Sequence, residues 1–230
     1  MLGHPDLAAK PTFQDMLTYR LTLMDEIVAK KIDREIALDA ANPAAEWELA
    51  QPVAFCADWQ GLNPQPALLT QAQVLWSDSA LYLRFECHFR TLTVFADSDP
   101  NGRRDRLWDR DVVEAFLQSD PSRQHCYKEL EVAPNGMWID LDIFPGGRSD
   151  LRSGLHHSVS VNQAERLWTA ELAVPWQSLT ERFDPALTWR ANFYRVEGAA
   201  EPRQYLAWQP TRTLQPDFHV PEHFGSLRFA

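Results

Sequence analysis

Asp111-Val112-Val113-Glu114-Ala115-Phe116-Leu117-Gln118 alternates with a period of two. Val113, Ala115 and Leu117 fall on one face, and Val112, Glu114 and Phe116 on the other. Successive side chains of an extended chain point to opposite sides, so this spacing predicts a strand with one face in a core. Upstream, Leu81, Leu83, Phe85 and Cys87 share a face against Tyr82, Arg84, Glu86 and His88. Residues 73–76 and 80–88 flank Ser77-Asp78-Ser79, a turn signal, and together predict a hairpin. Downstream, residues 127–133 place Leu130 and Val132 inward and Tyr127, Glu129 and Glu131 outward. Pro134-Asn135-Gly136 is a tight turn, and residues 137–144 return as the partner strand.

Further out, residues 167–174, 189–196, 205–208 and 226–229 read as strands, and 175–179 as one helical turn. Many short alternating strands with few helices predict an all-β fold, a two-sheet antiparallel β-sandwich of immunoglobulin or jelly-roll kind. No repeat or low-complexity linker divides residues 32–230, which read as one domain. Residues 1–31 read as a short N-terminal extension. Thr12-x-x-Asp15 resembles a capping box, and Phe13, Leu17, Leu21, Met24 and Val28 recur at helical spacing. Tyr19, Leu21 and Leu23 also alternate as a strand would. Residues 91–106, 144–159 and 209–224 are the longest stretches without strand character. Loops of that length in a compact domain are usually functional or mobile.

Composition narrows the partners. The 230-residue chain has a formal net charge of −10, which argues against a nucleic-acid backbone or an anionic membrane. No stretch is long and apolar enough to span a bilayer. Cys56, Cys87 and Cys126 are too few to form a disulfide framework, and Cys87 reads as a buried thiol. Residues 1–10 hold no basic segment followed by an apolar run, so no leader is visible. The chain as given reads as cytoplasmic, or as secreted or periplasmic if a leader once preceded it. Nine tryptophans stand out; most are expected in the core, where a ring buries a large area, and a few exposed ones would offer a flat apolar surface to a ligand. Trp76, Trp168, Trp176 and Trp189 are assigned to the core.

These motifs, in order, resemble family 9 carbohydrate-binding modules. Leu81-Tyr82-Leu83-Arg84-Phe85 followed by Trp108-Asp109-Arg110-Asp111-Val112-Val113-Glu114-Ala115-Phe116-Leu117 is similar to the family's central signature. Tyr127-Lys128-Glu129-Leu130-Glu131-Val132-Ala133-Pro134-Asn135-Gly136 resembles the next strand pair. Trp168-Thr169-Ala170-Glu171-Leu172-Ala173-Val174-Pro175-Trp176 and the segment from Trp189 to Arg195 resemble later strands. Ala207-Trp208-Gln209-Pro210-Thr211 and Phe218-His219-Val220-Pro221-Glu222-His223-Phe224-Gly225 resemble the tail. The resemblance implies a sandwich related to the DOMON group and recognition of a mono- or oligosaccharide, often at a chain end, in carbohydrate catabolism. It implies no required cofactor. By position it makes Trp108 one wall of an aromatic sandwich and Trp208 the other, with Glu114 hydrogen-bonding sugar hydroxyls. Glu129, Glu131 and Asn192 are further candidates for hydroxyl contact. Family modules attached to xylanases offer arginine and asparagine where this chain has Glu129 and Glu131.

Three readings of the acidic face stay open: sugar contact, a plainly solvated face, and paired catalytic carboxylates. Glu129 and Glu131 lie about 6–7 Å apart along their strand, a separation that also fits glycoside hydrolases. Nothing in the sequence marks one of these acids as proton-holding. A small glycoside hydrolase using Glu114 with Glu129 or Glu131 is therefore one alternative function. A haem carrier with Met137 and His125 as axial ligands is another, and a non-binding scaffold is a third. Asp97-x-Asp99-x-Asn101-Gly102, with Asp105 and Asp109 nearby, matches half of a calcium loop. Trp108 stands where a bidentate glutamate belongs, so the expectation is a structural calcium of another shape, on Asp97, Asp99, Asn101 and Asp105. His219-x-x-Glu222-His223 has inverted zinc-protease spacing, but Pro221 denies it the helix that motif needs. His156-His157 would put its rings on opposite sides of a strand.

Overall fold

The stretch at residues 80–88 is a strand over its whole length, and the flanking alternations follow suit. The computed structural model describes residues 25–96 and 102–230. In chain order the strands are β1 (Glu26–Lys31), β2 (Val53–Phe55), β3 (Thr70–Trp76), β4 (Ala80–His88), β5 (Val112–Gln118), β6 (Tyr127–Val132) and β7 (Trp138–Phe144). Then come β8 (Gly147–Asp150), β9 (His156–Asn162), β10 (Leu167–Pro175), β11 (Trp189–Glu197), β12 (Gln204–Ala207) and β13 (Gly225–Phe229). The helical turn expected after β10 is α1 (Trp176–Leu179). Among the described residues no helix is long and apolar enough to cross a membrane.

Two sheets result. One runs β8-β7-β6-β5-β11-β13, and the other β3-β4-β10-β9, with β2 on the free part of β3. These pairs are antiparallel, whereas β1 pairs in parallel with both sheets. Its residues Glu26 to Ala29 lie along Ser226 to Phe229 of β13, and Lys30 and Lys31 lie along Leu75 and Trp76 of β3. A strand that switches sheets makes the corner of a sandwich. This corrects the boundary at residue 32. Ile27 and Ala29 alternate into the core, and two open sheet edges complete their backbone hydrogen bonds, which overrides the helical spacing of Val28. The proposed helix before it falls on residues outside those described. Strand β8 and the first part of β9 fall in the stretch 144–159 read as lacking strand character. They lie at sheet ends, β8 with exposed and β9 with exposed or half-buried side chains, so neither buries a full apolar face.

The main core lies between the sheets and follows the predicted faces: Leu81, Leu83, Phe85 and Cys87 from β4 meet Val113, Ala115 and Leu117 from β5. Trp76, Trp168, Trp176 and Trp189 are buried there as expected. Trp176 stacks on Phe183 at 3.6 Å between centroids, and Trp189 meets Phe229 edge-on at 5.3 Å. Such pairs contribute about 0.5–1.5 kcal/mol each beyond their buried area. Burial pushes the Cys87 thiol up to about 12, so it stays neutral, and all three cysteines are free. A second apolar layer covers the outer face of the β5–β6–β7–β11 sheet, where Phe95, Leu107 and Trp108 on one side and Phe218 and Phe224 on the other fold over it. That covered face positions the site.

Candidate functional site

On the outer face of the first sheet, β5 and β6 pair with Glu114 opposite Glu131 and Phe116 opposite Glu129. The three carboxylates therefore share one patch, as the alternation required. They are not solvated, however. Glu114 and Glu129 are 3% exposed and Glu131 is 0% exposed, because Phe116, Tyr127, Tyr194 and Phe218 close around them. This removes the solvated-face reading. Burial holds Glu114 and Glu131 well above the usual carboxylate range; the charge of Glu129 adds to the shift of each, and that of Glu114 to the shift of Glu131. Arg203 pulls Glu114 back down and Arg148 does the same for Glu131, both more weakly than burial. Both oxygens of Glu131 and Oε2 of Glu129 are buried without a hydrogen-bond partner.

A cleft of ≈160 Å³ opens onto this patch. Glu114, Glu129 and Val196 form its floor; Trp108 and Arg148 stand on one side; Tyr205 and the segment Pro216-Asp217-Phe218-His219 stand around the rest. Trp108 sits in a 3₁₀ turn, Leu107–Asp109, whose Leu107 is fully buried as an anchor. The carboxylate of Asp111 accepts from the backbone N–H of Thr93 at 2.9 Å and of Gly198 at 2.6 Å, tying this turn to the end of β11. Trp108 is half-buried, with the Arg148 guanidinium 4.6 Å from its ring centre. Arg203 donates to the Trp108 carbonyl at 2.8 Å and lies 5.0 Å from the Tyr205 ring, so it spans the two aromatic residues. His219 Nδ1 is hydrogen-bonded to the Tyr127 hydroxyl at 2.6 Å.

Trp108, Glu114 and Glu129 thus meet in one cleft, and Glu131 lies beneath it. Trp208 does not join them. It is 6% exposed and stacks on Phe193 in the inter-sheet core, because β12 turns that side of the strand inward. Asn192 is also elsewhere engaged. Its amide donates to the Gln209 carbonyl and the Tyr194 hydroxyl and accepts from the Gln209 N–H, standing in for a missing strand neighbour between β13 and β12. Tyr205 and the 216–219 segment were not singled out as site residues. The signal was the length of the loop at 209–224, in which His219 was named only for its zinc-protease spacing with Glu222 and His223.

Asp97, Asp99 and Asn101 lie outside the described residues. Asp105 is exposed and accepts from Arg148 at 3.4 Å. Among the described residues no group of three or more His, Cys, Asp or Glu has the arrangement of a metal site. His125 and Met137 lie at opposite ends of β6, roughly 20 Å apart at ~3.3 Å per residue, too far for two ligands of one haem iron. Residues 221–223 form only a short 3₁₀ turn, so His219 and His223 do not share a helix face.

With this geometry in view, comparison with known proteins is direct. The family model for carbohydrate-binding family 9 matches residues 51–229. The chain belongs to that family. Two crystallised family 9 modules from Caldicellulosiruptor kristjanssonii, one in complex with cellotriose and one with glucose, share the fold. Each superposes with a TM-score of 0.63 at 15% identity over 89% of this chain, covering 93% and 95% of the module respectively. Among curated relatives, the human UPF0462 protein C4orf33 is 31% identical over 137 residues, 57% of this chain and 65% of that protein. The chain thus spans somewhat under two thirds of that relative's length.

Proposed function

We propose that this family 9 protein binds a carbohydrate without cutting it, in the cleft floored by Glu114 and Glu129. The observation that carries this reading is the convergence of Trp108, Glu114 and Glu129 on one opening. An aromatic face takes the apolar C–H side of a pyranose, and carboxylates take its hydroxyls. At ≈160 Å³ the cleft is small, which suits a single ring, hence a monosaccharide or a chain end. Tyr205, not Trp208, is the second ring in this reading. Family membership supports it, as does the likeness in fold to modules bound to cellotriose and glucose. Tryptophan fluorescence titrated with mono- and oligosaccharides tests it. A saturable change that is lost in Trp108→Ala is expected; an identical titration in that variant would remove the cleft from consideration.

One observation favours a second reading, glycoside hydrolysis. A carboxyl kept protonated by burial, as at Glu114, is what a general acid requires, and Glu129 beside it could serve as base or nucleophile. Turnover of an aryl glycoside, abolished in Glu114→Gln, would carry that reading. Saturable binding with no turnover supports recognition alone.

A further inference from the structure

Resting on that reading of the cleft, we propose that its preferred ligand is an amino sugar, held by its ammonium group against Glu114 and Glu129 with Glu131 beneath.

Among the described residues, no cation pairs with the acids of the floor. Buried carboxylates in proteins are ordinarily paired or hydrogen-bonded, since an unpaired charge out of water is costly. Here no ion pair among the described residues includes Glu114, Glu129 or Glu131. Two arginines stand close enough to be felt, but each is engaged elsewhere. Arg148 lies over Trp108 and pairs with Asp105, and Arg203 pairs with Glu201 and donates to the Trp108 carbonyl. Asp217 adds a further acid at the rim, its carboxylate accepting the His219 backbone N–H at 2.9 Å. The unmet Oε2 of Glu129 is 97% buried by residue and belongs to a side chain that lines the cleft. Glu131, behind it, has neither oxygen satisfied.

A neutral sugar hydroxyl can donate to one such oxygen, but brings no cation, so Glu114 and Glu131 keep their protons when it binds. An ammonium has three donors and a full charge, and no acceptor to waste against carboxylates. A metal ion would compensate charge too, yet the described residues offer no metal-binding arrangement. The aromatic pair at the mouth, Trp108 and Tyr205, favours a ring-bearing ligand over a simple alkylamine. In the free protein, protons held on Glu114 and Glu131 take the place of the cation. Binding of the ammonium therefore displaces protons into solution. The phenols of Tyr127 and Tyr194, pushed up by burial, stay neutral throughout and do not contribute to that release.

Isothermal titration of the full chain with glucosamine, glucose and N-acetylglucosamine, at pH 6.5 in two buffers of different ionisation heat, tests this. Glucosamine should bind about tenfold more tightly than the other two, as one charge-assisted contact warrants, with net proton release seen only for glucosamine. Glu131→Gln, which does not reach the cleft, should shrink both the preference and the proton release. Equal affinity for the three sugars overturns the ammonium proposal and leaves sugar binding intact. Preference without proton release, or a preference unchanged in Glu131→Gln, also overturns it. Absence of binding by all three removes the sugar reading itself, and the proposal with it.

Discussion

Glu114 on β5 and Glu131 on β6 stand directly opposite each other across an antiparallel pair, both buried, on a face closed by aromatic rings. Like charges in that position oppose one another, and the protein avoids the conflict by keeping protons on them. The folded protein therefore binds protons that the unfolded chain has released once the pH exceeds the ordinary glutamate range. Stability from this pair is intact in acid and is lost as pH rises through the elevated values. Replacing Glu131 by Gln removes that loss. In urea unfolding, Glu131→Gln should match the parent near pH 4 and exceed it by about 1–3 kcal/mol at pH 8. A parent whose stability climbs between pH 5 and 8, with the variant climbing in parallel, would contradict the buried-proton account.

Two tryptophans in similar sequence settings should part company on mutation. Trp108 is half-buried at the cleft, whereas Trp208 packs on Phe193 at 5.4 Å in the main core. Trp208→Ala should cost about 3–5 kcal/mol, as for other buried aromatic deletions. Trp108→Ala should cost less than about 1.5 kcal/mol while abolishing the sugar-dependent fluorescence change. Equilibrium unfolding beside a sugar titration separates the two effects.

The same pair marks how far the sequence could be read. Faces were legible because strand periodicity is strict: Glu114, Glu129 and Glu131 were placed on one side of β5 and β6, and the structure keeps them there. What covers that side was not legible. The rings of Tyr194 and Phe218 arrive from β11 and from a loop some hundred residues further on, and periodicity says nothing of loop paths. A solvated face was for that reason one of the readings left open. Trp208 and Asn192 each lie in a recognisable motif, but their partners Phe193 and Gln209 are set by how β12 and β13 divide the edge of β11. Strand β1 escaped because its pairing is with both ends of the chain's later strands at once, and no local pattern encodes that.

Arg195 offers a test of the inter-sheet core. It lies on the inward face of β11 with no exposed surface, and its guanidinium donates to the carbonyls of Leu68 and His88, to Thr70 Oγ1 and to Glu197. One side chain thus satisfies the acceptors where β3, β4 and β11 converge. Arg195→Met removes the donor those acceptors share and the buried cation beside Glu197, and should destabilise by about 3–5 kcal/mol. Arg195→Lys should recover little, since a single ammonium cannot reproduce the planar fork. Chemical unfolding of both variants at pH 7 provides the measurement, and near-parent stability in Arg195→Met would show the network to be dispensable.

Gly225, at the start of β13, is required by close approach and not by its backbone angles. A Cβ there would lie 2.7 Å from Cη2 of Trp208 and 2.8 Å from the Asp25 carbonyl oxygen. Neither neighbour can yield easily. The Trp208 ring is held against Phe193, and the Asp25 carbonyl accepts the Ser226 N–H at 2.6 Å as part of the β1–β13 junction. Gly225→Ala should therefore destabilise by about 1–3 kcal/mol, the usual cost of overpacking. Trimming the ring in Trp208→Phe removes the atoms nearest the new methyl, so the double variant should be more stable than the sum of the single losses allows. Additive losses would place the strain at the Asp25 carbonyl instead, and hence at the corner where β1 passes between the sheets.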